Sequence, residues 1–88
     1  MNWKIEVKPT AEKAYLRLDK KTRKRIHAAL RDLEKFKNPF IDKNVRPLTG
    51  RLHGDYRLRV GKWRVLFTPD KESHLLFVYA IIPRGDGY

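Results

Sequence analysis

Cysteine is absent from the chain, so no disulfide or thiolate metal centre helps to hold the fold. Long apolar runs are absent too. Nothing in the sequence approaches the roughly 20 residues of a membrane span, and the opening MNWKIEVKPT lacks the apolar core of a signal peptide. The expected location is the cytoplasm, away from any membrane. Acidic residues are scarce: 10 Asp and Glu stand against 21 Lys and Arg, a formal charge of +11 on 88 residues. Such an imbalance costs self-repulsion and attracts polyanions. Nucleic acid is the first candidate partner and an acidic protein the second.

Catalytic motifs are missing as well. His27, His53 and His74 do not stand at ligand spacing with carboxylates, and there is no Walker loop, GxGxxG or nucleophile elbow. No metal and no other cofactor is called for. There are no repeats and no low-complexity tract, so residues 1–88 read as one domain. A chain of this size buries only about 60–65% of its extended surface, so its core is modest.

What the sequence does contain is a strongly patterned stretch, Tyr56-Arg57-Leu58-Arg59-Val60-Gly61-Lys62-Trp63-Arg64-Val65. Apolar and basic residues alternate on both sides of Gly61-Lys62. That period of two reads as half-buried strands, and a two-residue Gly-X link reads as a type II′ hairpin turn. The turn fixes the register: Val60 faces Trp63, Leu58 faces Val65, and Tyr56 faces Phe67. On the other face Arg59 stands across from Arg64, with Arg57 diagonal to Arg64. Like charges across a hairpin are unfavourable by a few tenths to about 1 kcal/mol. Three guanidiniums on one face therefore suggest a bound anion; the plainer alternative is a solvated face whose arginine stems cover apolar surface.

The remaining elements follow from periodicity. Trp3, Ile5 and Val7 alternate with charged residues as a short strand. Thr10 is an expected N-cap for a helix carrying Ala11, Ala14, Tyr15 and Leu18. Asp19 caps a second helix with an apolar stripe of Ile26, Ala29, Leu30, Leu33 and Phe36. The basic run containing Lys20, Lys21 and Lys24 is either a solvated helix face or a phosphate contact. Residues 38–50 read as a loop anchored by Phe40, Ile41 and Leu48, and residues 69–73 as a turn. The run His74 to Ile82 is apolar throughout, as in a central strand covered on both faces. The expected fold is α+β and two-layered: an N-terminal strand and a helical hairpin packed on a mainly antiparallel sheet. A simple hairpin at 69–73 sets Phe67 near Leu75 and Arg64 near Val78, and brings Arg84 and Tyr88 to the Gly61-Lys62 end. Of the histidines, only His53 is expected near the arginine face.

The segment LHGDYRLRVGKWRVLF, the ending PRGDGY and the element order resemble the RelE/ParE superfamily of toxins from type II toxin–antitoxin pairs. The resemblance covers essentially the whole chain. Its RelE branch implies a metal-independent endoribonuclease that cuts mRNA in the ribosomal A site. It also implies an acidic antitoxin that wraps the toxin, the complex binding operator DNA through the antitoxin. By this resemblance Arg64 contacts the scissile phosphate, Arg84 assists the leaving group or the transition-state charge, and Tyr88 stacks on the nucleotide and orients the 2′-OH. Arg57 and Arg59 stand where well-known members carry lysines. Because arginine effectively never gives up its proton, a lysine-type general base is lost, leaving Tyr88, His53 or electrostatic activation. Lys62, His53, Lys20, Lys21 and Lys24 are the expected RNA contacts. The superfamily's ParE branch, gyrase poisons that generally lack the ribonuclease set, implies an alternative, and a catalytically inactive nucleic-acid-binding homologue is another. Arg64, Arg84 and Tyr88 together favour the RelE branch.

Overall fold

The first and last strands of the sheet lie side by side. A computed structural model, which describes residues 3–83, has β1 (Lys4–Val7), β2 (Val45–Pro47), β3 (Tyr56–Val60), β4 (Trp63–Asp70) and β5 (Leu75–Pro83) in the order β1-β5-β4-β3-β2. The β1–β5 pair is parallel and the others antiparallel. Helices α1 (Pro9–Leu16) and α2 (Lys20–Glu34) form a hairpin over one face of the sheet. The architecture is the expected α+β two-layer fold.

The core is the interface between these layers. Ile26 and Leu33 of α2 and Ala11 of α1 meet Leu58, Val65, Phe67, Leu76, Val78 and Ile81 of the sheet, all buried. At one end Trp3 stacks on His74 with 4.7 Å between ring centroids and meets the edge of Phe40 at 5.4 Å. Such aromatic pairs contribute roughly 0.5–1.5 kcal/mol beyond area burial. His74 lies in the left-handed region at φ +56 just before β5, and its carbonyl accepts from Lys4 N at 2.9 Å.

Several expectations need correction. Thr10 is not the helix cap: α1 starts at Pro9, whose fixed φ and missing N–H suit a first helical position, and Thr10 Oγ1 donates instead to the Tyr79 carbonyl. Asp19 does cap α2, accepting from Thr22 N at 3.1 Å and from the Thr22 hydroxyl; those bonds hold its carboxyl below the usual range. Phe36 lies past the end of α2 and is exposed. The stretch 38–50 is not simply a loop. It holds 3-10 turns at Pro39–Ile41 and Gly50–Leu52 and the edge strand β2, three residues being too short to show a period. Leu48 is an anchor and Phe40 a partial one, but Ile41 is 74% exposed.

The 69–73 turn is also displaced. β4 runs on through Pro69 and Asp70, which pair with Leu76 and Leu75. Pro69 is tolerated there because the β3 pairing ends at Phe67, so no partner on that side needs its N–H. The displaced turn moves the register by three residues, so that Phe67 faces Val78, and a bulge between Leu66 and Phe67 adds one more, so that Arg64 faces Ile82. β5 is an interior strand as expected, but it is buried on the helix side only; Phe77, Tyr79, Ala80 and Ile82 are half-buried.

Candidate functional site

The hairpin forms in the expected register. Gly61 has φ +58 and Lys62 does not share that sign, as a type II′ turn requires. Val60 pairs with Trp63, Leu58 with Val65, Tyr56 with Phe67, and Arg59 with Arg64. Since Leu58, Val65 and Phe67 are buried under the helices, strand alternation sends Arg57, Arg59 and Arg64 to the opposite face.

That face carries a fourth arginine. β2 sets Arg46 directly across from Arg57. Two rows result: Arg46, Arg57, Leu66 and Ala80, then Arg59, Arg64 and Ile82. Neighbouring strands are about 4.8 Å apart, so these arginines spring from one small area of the sheet. Arg57 and Arg64 are half-buried, whereas Arg46 and Arg59 are exposed. Leu66, on the same face, is only 3% exposed, so the patch has a dry floor beneath its charged rim.

An acid at the start of β3 also serves this face. Tyr79 Oη donates to Asp55 Oδ2 at 2.8 Å, reaching from β5 to the start of β3. Burial, followed by the Asp55 hydrogen bond and charge, pushes the phenol well above its ordinary range. Tyr79 therefore stays protonated and cannot act as a base near neutral pH. Sequence reasoning missed Asp55, Tyr79 and Arg46. Asp55 could have been found two residues before Arg57 by strand alternation; Tyr79 was hidden by the bulge and Arg46 by the brevity of β2.

The other expected site residues separate. Lys62 is exposed at the hairpin tip. His53 is exposed in the turn before β3, at the end of that strand remote from the tip, so it does not join Arg59 and Arg64. Lys20, Lys21 and Lys24 are exposed on α2, in the layer on the other side of the sheet. Arg84 and Tyr88 lie outside the described residues; β5 is described as far as Pro83, which faces Trp63 beside the tip. Among the described residues no three of His, Asp and Glu gather as metal ligands. Chemically, the patch offers forked donors suited to phosphate oxygens.

Residues 5–88 match the model of a family described as the ParE toxin of the type II toxin–antitoxin system parDE. No curated protein matches the chain. Solved structures share the fold. The RelBE2 toxin–antitoxin complex of Mycobacterium tuberculosis is 19% identical with TM-score 0.81, over 96% of this chain and 100% of that one. An archaeal RelE–RelB complex of Pyrococcus horikoshii is 24% identical with TM-score 0.79, over 99% and 100%. A YoeB/ParE toxin of Agrobacterium tumefaciens is 19% identical with TM-score 0.75, over 92% and 98%.

Proposed function

The chain belongs to the ParE toxin family of type II toxin–antitoxin systems, within the RelE/ParE superfamily, and from that premise we propose that it is an endoribonuclease that cuts mRNA in the ribosomal A site. The observation that carries this reading is the arginine patch, with Arg59 across from Arg64 and Arg57 in the next row. RNA brings its own nucleophile. The 2′-oxygen attacks phosphorus, the bond to the 5′-oxygen breaks, and a 2′,3′-cyclic phosphate and a 5′-hydroxyl result. The 2′ proton passes to solvent and the leaving oxygen takes up another. The protein has to align the reacting groups and stabilise charge on the phosphorane, for which each well-placed donor contributes roughly 10²–10³-fold.

In this reading Arg64 contacts the scissile phosphate and Arg59 and Arg57 share its charge. Arg84 assists the leaving group, and Tyr88 stacks on the nucleotide. Arginine cannot serve as the base and Tyr79 is held protonated, so the 2′-hydroxyl is activated by the positive field or by Tyr88. An acidic antitoxin fits the +11 charge, and related folds have been solved as toxin–antitoxin complexes. The site of action is the cytoplasm, and operator DNA is bound through the antitoxin. Among the described residues no helix is long and apolar enough to cross a membrane.

Primer extension on a translated message tests the reading: stops within A-site codons support it. The name of the matching family model favours gyrase inhibition as a second reading. Loss of supercoiling activity by purified gyrase, with an intact message, would put that reading first.

A further inference from the structure

The tip of the hairpin has a second basic side, facing the helices. α2 presents Thr22, Arg25, Ala29 and Asp32 along one face toward β3 and the turn. Arg25 reaches Gly61 itself. A methyl group placed on Gly61 would lie 3.1 Å from Arg25 Nη2 and 3.4 Å from both its Cζ and Nη1. Near-equal distances to three atoms of a planar group mean that the guanidinium turns its flat face to the glycine. Its N–H groups then point outward around its edge. Gly61 thus meets two demands: the positive φ of the turn, and the close seat of a cation.

Beside this contact lies a pocket of about 350 Å³ lined by Thr22, Arg25, Val60, Gly61, Lys62 and Trp63. Its lining joins two cations to a half-buried indole and contains no carboxylate. Among the described residues neither Arg25 nor Lys62 has an acidic partner; the ion pair present is Lys35–Asp32. Asp19, a turn away on α2, is engaged by Thr22 as the helix cap. Asp32 and Asp42 line the neighbouring depression behind Arg25 and Arg59, with Asp42 Oδ1 accepting from Asn44 N. Positive charge is therefore densest toward Lys62.

We propose that this pocket is a nucleotide-binding subsite, with a phosphate between Arg25 and Lys62 and an unpaired base against Trp63. Flat guanidinium and indole surfaces stack on bases of any sequence, and cations track the backbone. A single RNA strand crossing the arginine patch continues around the hairpin tip to the helix side. That path rests on the reading above; the subsite itself does not, because binding requires no cleavage.

The test is a titration of the purified protein with a 5′-phosphorylated RNA trinucleotide, following affinity and the Trp63 indole N–H resonance together. Trp3 is an internal reference, since its indole nitrogen is committed to the Lys37 carbonyl in the core. The Trp63 resonance should move and that of Trp3 should not. Arg25→Gln, which keeps much of the stem over Gly61, should abolish the Trp63 shift and weaken binding roughly fivefold to tenfold, with the log–log salt slope reduced by about 0.7. Arg25→Lys should retain the slope. In Arg64→Ala the Trp63 shift should persist. If Arg64→Ala also cleaves message at the wild-type rate, the nuclease reading falls while the subsite stands. The subsite is overturned if RNA leaves Trp63 unmoved in the wild-type protein, or if Arg25→Gln changes neither the shift nor the slope. It is equally overturned if a glutamate-rich peptide moves Trp63 and the RNA does not, which would assign the pocket to an acidic protein.

Discussion

Tyr79 ties β5 to the start of β3 by a 2.8 Å hydrogen bond to Asp55, passing over β4 without pairing to it. The bond fixes a carboxylate on the sheet face that carries the arginines, and it leaves a phenol that resists ionisation.

A pH dependence follows. The folded-state phenol titrates above its ordinary value of 10.0, so above that pH the unfolded chain loses the proton first. Stability is fully present below about pH 10 and declines as pH rises toward the folded-state value. Tyr79→Phe should flatten this alkaline decline relative to the wild-type protein. At neutral pH it should cost roughly 1 kcal/mol, because Asp55 loses a donor. Melting temperatures of both proteins between neutral and strongly alkaline pH make the check; parallel curves would show that Tyr79 does not carry the effect.

Arg64→Ala should lower single-turnover cleavage on programmed ribosomes by roughly 10²-fold or more. Arg64→Lys should restore only part of it, since lysine keeps the charge and loses the fork. Ribosome affinity should fall far less, because many other cations share that load. Wild-type cleavage by Arg64→Ala would remove the arginine patch from the chemistry.

Arg59 offers the opposite balance. It is exposed and directly opposite Arg64, so Arg59→Thr removes a like-charge pair and adds a β-branched residue to a strand. Stability should rise by a few tenths to about 1 kcal/mol while cleavage falls. Urea unfolding and cleavage measured on one preparation decide it; a variant that gains neither stability nor loses activity shows that the repulsion is already screened.

Cleavage should be strong on translating ribosomes and weak on naked RNA, because a small open patch has little with which to select a sequence. Equal cutting of free and ribosome-bound message, compared at matched concentrations, would sink this expectation.

The hairpin was legible because two local signals agree: the Gly-X turn fixes the register, and the alternation fixes the faces. The same holds for Asp19, whose cap is a contact three residues away. What the sequence hid depends on distant partners. Val45–Pro47 becomes a strand only because β3 lies beside it. The longer β4 and the bulge opposite Leu66 and Phe67 together move Arg64 from Val78 to Ile82, and the bulge leaves Tyr79 outside the ladder to reach Asp55; nothing local in that apolar run marks where the extra residue falls. His53 stands in the turn before β3, at the end of that strand remote from Arg59 and Arg64.

The pairing of β1 with β5 joins Lys4 to Leu75 and Val7 to Val78, contacts spanning most of the chain. Contacts so remote in sequence slow folding, since the intervening loop must close before they reward it. A chain emerging from the ribosome has no seat for its first strand, and no interior strand for β4 to pair with on that side, until residues 75–83 are out. The last surfaces to be assembled are therefore the β1–β5 edge and the helix layer that packs on β5, whereas the strands that carry the arginines have already emerged.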